Sequence, residues 1–179
     1  MTTPNQKQRT RKLVTAALLL ALGILLPQAF HIFGQQAGKL FLPMHLPALL
    51  AGFLLGVPGC LVGLLLPAAS FLVSGMPPPP LLWFMTAELF AYALAAGVFY
   101  RKLRLPLWAA LLLAQLSGRA FEALALALFG MVLHWTPLAP AMVITGTVAG
   151  LPGIALQWLA IPVVVKLIEK HEGGRGEIS

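Results

Sequence analysis

Long apolar runs interrupted by short polar segments dominate the chain. The runs cover residues 13–33, 44–74, 81–100, 106–133 and 139–167, and each approaches or exceeds the roughly 20 residues that a helix needs to cross a bilayer. Stretches such as Leu107 to Leu113 show no alternation of polar and apolar positions, so they predict helices rather than the strands of a membrane barrel. Basic residues collect between the runs, at Lys7, Arg9, Arg11 and Lys12, at Arg101, Lys102 and Arg104, and at Lys166, Lys170 and Arg175. Only Lys39 and Arg119 of the twelve Lys and Arg residues lie elsewhere. Basic flanks of this kind mark the cytoplasmic side, so an even number of crossings must separate successive clusters.

Three runs precede the Arg101 cluster, so one of them must be double. The run 44–74 carries Gly56, Pro58 and Gly59 at its middle, a combination that breaks a helix. It therefore predicts two helices, near 44–56 and 59–74. The expected fold is an all-α membrane protein of six transmembrane helices with both termini cytoplasmic. Its parts are a basic tail at 1–12, a six-helix domain at 13–167 and a second cytoplasmic tail at 168–179. Outer connections fall at 34–43, 75–80 and 134–138. The first is polar and expected to be mobile; the second holds four prolines, Pro77 to Pro80, and is expected to be stiff and extended.

Composition sharpens this picture. Hydrophobic residues make up 59% of the 179 and charged residues only 9%, against about a quarter charged in soluble domains. That leaves one membrane-embedded domain and no room for a separate soluble enzyme. The net charge of +7 does not point to nucleic acid, because it sits in topology-setting flanks. A lone Cys60 excludes an internal disulfide framework and reads as a small, buried apolar residue. The basic N-terminus followed by Leu13 onward imitates a signal peptide. Its apolar stretch is long and lacks a small-x-small cleavage site, so it reads as a retained first helix. There is no Asp, no glycine-rich phosphate loop and no catalytic Ser/His/acid or Cys/His arrangement. Neither an enzyme nor a cofactor is expected.

Candidate chemistry lies in the few polar residues inside the runs. Glu88 and Tyr92 share one face of the fourth helix, and Gln115, Arg119 and Glu122 share one face of the fifth. A charge at the bilayer centre costs at least about 2.5–3.5 kcal/mol, so such residues face the interior, find partners and usually mark a solute path. At ~1.5 Å per residue from the outer helix ends, Glu88 lies at ~10 Å depth, Glu122 at ~15 Å and Arg119 at ~20 Å. Their convergence on one pocket is expected; a pair that merely locks two helices together is the competing reading. Trp83, Phe84, Phe121 and Trp135 lie toward the outer half, where Trp135 reads as an interface anchor and Trp83 as a cover for a ligand. His31, His45 and His134 also fall there, but their spacing fits no ligand motif and no metal site is expected. Ala17 and Ala21 form a small-xxx-small pair in the first helix, suited to close approach by another helix.

These residues resemble a family. The stretch from Pro43 to Pro78, followed by Met85 to Leu103, is similar to the substrate-binding S component of energy-coupling factor (ECF) transporters. SGRAFEALAL (Ser117 to Leu126) and ALLLA (Ala17 to Ala21) fit the same pattern. The resemblance implies a non-catalytic, multi-pass plasma-membrane subunit that captures a water-soluble vitamin from outside, of the pantothenate or cobalamin-like kind. It implies partners as well: a transmembrane coupling subunit, packed on Ala17 and Ala21, and two cytosolic ATPases. Ligand would be held by helices four to six and gated by the loops 34–43 and 75–80. That matches the substrate-binding set Glu88, Tyr92, Gln115, Arg119, Glu122 and Trp83. Arg119 would pair with a pantothenate carboxylate while Glu88 accepts from its hydroxyls. Rival readings are a metal-uptake subunit, whose N-terminal Met-His chemistry is denied to the internal Met44-His45, and a membrane assembly protein in which the buried charges are structural glue. An autonomous ion-coupled carrier is a third, disfavoured by the lack of internal repeats.

Overall fold

The computed structural model describes residues 4–32, 34–133 and 141–176. Helix is the dominant structure of the described residues and no strand occurs among them, with α1 at Pro4–His31, α2 at Gln35–Phe41, α3 at His45–Leu55 and α4 at Cys60–Ser74. Then come α5 at Leu81–Ala96, α6 at Leu107–Leu133, α7 at Ala141–Ala149 and α8 at Leu151–Gly176. Six stretches are long and apolar enough to cross a membrane: Gln6–Phe30, Ala37–Leu55, Val57–Ser74, Leu81–Lys102, Leu107–Phe129 and Leu151–His171. Six was the number expected.

The break in the second run has a physical cause. Gly56 adopts φ 72°, ψ −150°, a conformation open to glycine and strained for other residues. After it a single turn, Val57–Gly59, leads into α4. Gly59 faces the Ala51 backbone so closely that no Cβ would fit. Helices α3 and α4 therefore fold back on each other as a tight hairpin.

Three local expectations are corrected. The segment 34–43 is not a mobile loop, since its core Gln35–Phe41 is the helix α2. A left-handed Leu42 (φ 47°) and Pro43 separate α2 from α3, and the two together complete the span that 44–56 alone left short. Gly150 and Gly153 let Leu42 and the Phe41 backbone approach α8, which gives α2 a packing surface despite its polar composition. The last run is not one helix. The chain turns at Gly150, and Pro152 begins a new helix from its first turn, where its missing N–H does no harm. Finally, the prolines do not form an extended rod, because Pro78 and Pro80 carbonyls accept from Leu82 and Trp83 and wind directly into α5.

Helix α5 is the hub, packed by α3, α4 and α6. Glycines permit these contacts: Gly52 faces the Ala93 carbonyl, Gly63 the Leu89 carbonyl, and Gly97 the Gly56 backbone. Small residues of this kind bring helix backbones together in a lipid setting, where van der Waals packing replaces hydrophobic burial as the driving force. The main core follows, with Leu49, Phe53, Leu66, Leu89, Leu111, Ile161 and Val165 fully buried. By contrast α1 is peripheral. It rests on α3 and α4 through Leu19 and Gly23 and leaves Leu13, Val14, Leu18 and Leu25 exposed.

Beyond α5 a wider helical turn, Gly97–Lys102, carries Tyr100 and Arg101 to one end of the bundle. The Arg101 Nε–H donates to the Phe53 carbonyl at 2.6 Å, satisfying one of the open carbonyls at the end of α3. Its Nη2 lies 3.5 Å from Glu169 on α8, and the Tyr100 hydroxyl donates to the same carboxylate at 2.9 Å. One arginine thus ties three helices.

Candidate functional site

The intramembrane charges converge as their helical faces require. Glu88 and Tyr92, one turn apart on α5, point inward and are each only 2% exposed. Glu88 Oε1 lies 2.9 Å from Arg119 Nη1 on α6, and the same Nη1 donates to Glu122 Oε2 at 2.9 Å. Gly118 makes the approach possible: a Cβ there would strike the Tyr92 ring. Arg119 looked deeper than Glu88 by sequence count because α6 runs on to Leu133. Counted along the two helices, their backbones differ in depth by ~10 Å. The reach of the two side chains covers that difference.

A fifth member is a histidine that the sequence reading set aside as fitting no metal motif. His45, at the first position of α3 and 3% exposed, places Nε2 3.2 Å from Glu88 Oε2 and its ring edge-on to Tyr92 at 5.5 Å between centroids. The only signal in the sequence was a polar residue at the head of an apolar run. Its acidic partner lies 43 positions further on.

Two carboxylates on one guanidinium leave the cluster unevenly satisfied. The two contacts on Glu88 fall within ion-pair distance but are bent away from good hydrogen-bond geometry, so Oε1 keeps accepting capacity. Arg119 commits only Nη1. Among the described residues its Nε and Nη2 are buried without a partner, as is His45 Nδ1. Nε and Nη2 form one edge of the guanidinium, two parallel donors spaced to match a carboxylate or a similar planar pair of oxygens. Buried donors left open are unfavourable in the free protein, and a ligand that fills them recovers that free energy.

Other expected site residues lie apart from this cluster. Gln115 is buried but joins a separate polar chain with Gln157 and Trp158 of α8. Trp83 is 57% exposed, because five residues of helix rotate it away from the Glu88 face. Phe84, four residues before Glu88, holds the inward position above it and stacks edge-on with Phe129. Phe121 is exposed as well. Ala17 and Ala21 lie on the exposed flank of α1. The His31 side chain, His134 and Trp135 lie outside the described residues.

Comparison with known proteins adds one finding. Neither curated proteins nor solved structures gave a match. The sequence description of the ECF transporter, substrate-specific component family matches residues 11–165, nearly the whole helical bundle with α5, α6 and the buried charges inside it. This chain therefore belongs to the substrate-specific components of ECF transporters.

Proposed function

We propose that the chain captures a water-soluble vitamin from the outer side of the membrane, with pantothenate the leading ligand and a cobalamin-like molecule next. As a substrate-specific component it is a multi-pass plasma-membrane subunit, non-catalytic, working with a transmembrane and ATPase module whose separate subunits hydrolyse ATP. The ligand site is the cluster of Glu88, Tyr92, Arg119 and Glu122 with His45. Both termini lie in the cytoplasm, and the exposed Ala17 and Ala21 face the coupling subunit.

One observation carries this reading. A buried arginine holds two carboxylates through a single nitrogen and keeps a complete two-donor edge open. A purely structural pair would close that edge. Pantothenate matches it with a carboxylate for Arg119 and hydroxyls for Glu88.

The test is thermal stabilisation of the purified protein by a panel of vitamins, beside Arg119→Ala. A ligand at 100 times its dissociation constant stabilises by about 2.7 kcal/mol. A rise in Tm with pantothenate that vanishes in Arg119→Ala is expected. A well-folded wild type that no vitamin stabilises would contradict the proposal.

A further inference from the structure

A second polar chain crosses the bundle interior beside the charged cluster. The Trp158 indole N–H donates to Gln115 Oε1 at 2.7 Å, and Gln115 Nε2 donates to Gln157 Oε1 at 2.9 Å. An indole nitrogen can only donate. It therefore fixes the Gln115 amide with its oxygen toward Trp158 and its nitrogen toward Gln157. Gln157 must then present its oxygen to Gln115, which turns its own nitrogen outward from the chain. Trp158 is itself held by stacking on Trp108, with 5.6 Å between ring centroids. A three-residue relay thus ends in a donor of fixed polarity.

That donor is unused. Gln157 is 2% exposed, and its Nε2 is buried without a partner among the described residues. Buried amide donors are nearly always satisfied in native proteins, so an open one calls for an explanation. Gln157 shares its face of α8 with the fully buried Ile161 and Val165, so it looks into the bundle. Gln115, which sets its orientation, stands one turn from Arg119 on the same face of α6, about 5–6 Å between β-carbons. Gln157 is thus linked through Gln115 to the helix face that carries Arg119.

We infer that Gln157, oriented by Gln115 and Trp158, contacts the ligand and donates its Nε2–H to a neutral acceptor, a carbonyl oxygen, hydroxyl oxygen or ring nitrogen. The ligand's anionic group docks on the open Nε/Nη2 edge of Arg119. The class is an anion that also carries a neutral hydrogen-bond acceptor. This rests on the substrate-capture reading above and adds Gln157 as a specificity-determining residue.

The experiment measures equilibrium binding to the full chain in lipid nanodiscs. Pantothenate, biotin and nicotinate are each compared with an uncharged counterpart, pantothenol, biotinamide and nicotinamide. Wild type is expected to prefer one carboxylate over its neutral partner by tenfold or more. Gln157→Leu should weaken that ligand at least tenfold while keeping the preference for the anion, since Arg119 is untouched. Trp158→Phe, which frees the Gln115 amide to turn over, should weaken it severalfold, and it carries the test should Gln157→Leu not fold. Unchanged affinity in a folded Gln157→Leu, or in Trp158→Phe if that is the variant available, overturns the inference alone. So does a wild type that binds only thiamine, riboflavin or cobalamin, or that fails to distinguish anion from neutral counterpart. A wild type that binds none of these vitamins removes the capture reading and the inference with it.

Discussion

Two arginines of this protein each meet glutamates, and they use their guanidinium groups differently. Arg101 sits at one end of the bundle, with its own side chain 37% exposed and that of Glu169 34% exposed. It spends Nε on the Phe53 carbonyl and Nη2 on Glu169. Arg119 sits inside, its side chain 15% exposed beside a Glu88 side chain that is 3% exposed. It serves two carboxylates through one nitrogen and leaves Nε and Nη2 open. The better-solvated arginine uses its Nε/Nη2 edge, and the buried one leaves that edge open. An arginine whose donors are used across three helices is a latch, whereas a buried arginine with an open edge is what the proposed capture site requires. Identity of residue type says nothing about this; the hydrogen-bond ledger does.

The contrast breaks most sharply at the buried site. Arg119→Ala strands Glu88 and Glu122 in a dry interior without their cation, and removal of one partner from a buried pair typically destabilises by about 3–5 kcal/mol. A loss of that order in the chemical or thermal stability of the ligand-free protein is expected, on top of lost binding. Arg101→Met should have a smaller effect, about 1–2 kcal/mol, because it removes one charge-assisted bond to a backbone carbonyl in a partly solvated place. Its ligand binding should match wild type. Glu169→Gln should change stability least, within ~1 kcal/mol, since the pair it weakens is exposed, and the Tyr100 hydroxyl retains an acceptor. A denaturation series over the three variants tests the ranking. Equal losses at Arg119 and Arg101 would remove the distinction between site and latch.

Much of this arrangement was legible along the chain, and the failures have physical causes. Charged residues within apolar runs had to face inward, so Glu88, Arg119 and Glu122 were found by the expense of placing them anywhere else. The crossing count followed from the spacing of basic clusters, and Gly56, Pro58 and Gly59 announced the hairpin. The same type of signal at Gly150 and Pro152 passed unused because the count required only one crossing there. Helix α2 was hidden by polar composition, as its packing on α8 depends on glycines more than a hundred residues away. Trp83 was misplaced by a five-residue offset, which a helical wheel would have caught. His45 as a cluster member, and Gln157 altogether, were missed for a deeper reason: each is a single polar residue in an apolar run, and its partner is on another helix. Gln157 could have been flagged as a polar residue well inside the last apolar run, more than two turns before Lys166. Its orientation could not, because that comes from Trp158 acting through Gln115.

The most direct measurement is ligand-induced thermal stabilisation of Arg119→Lys and Arg101→Lys side by side with wild type. Lysine keeps the positive charge at each position but lacks the planar two-donor edge. The account predicts that Arg101→Lys is stabilised by the vitamin as wild type is, while Arg119→Lys folds and loses the stabilisation. Full ligand stabilisation of Arg119→Lys would contradict it, for the open edge of Arg119 would then have no part in binding.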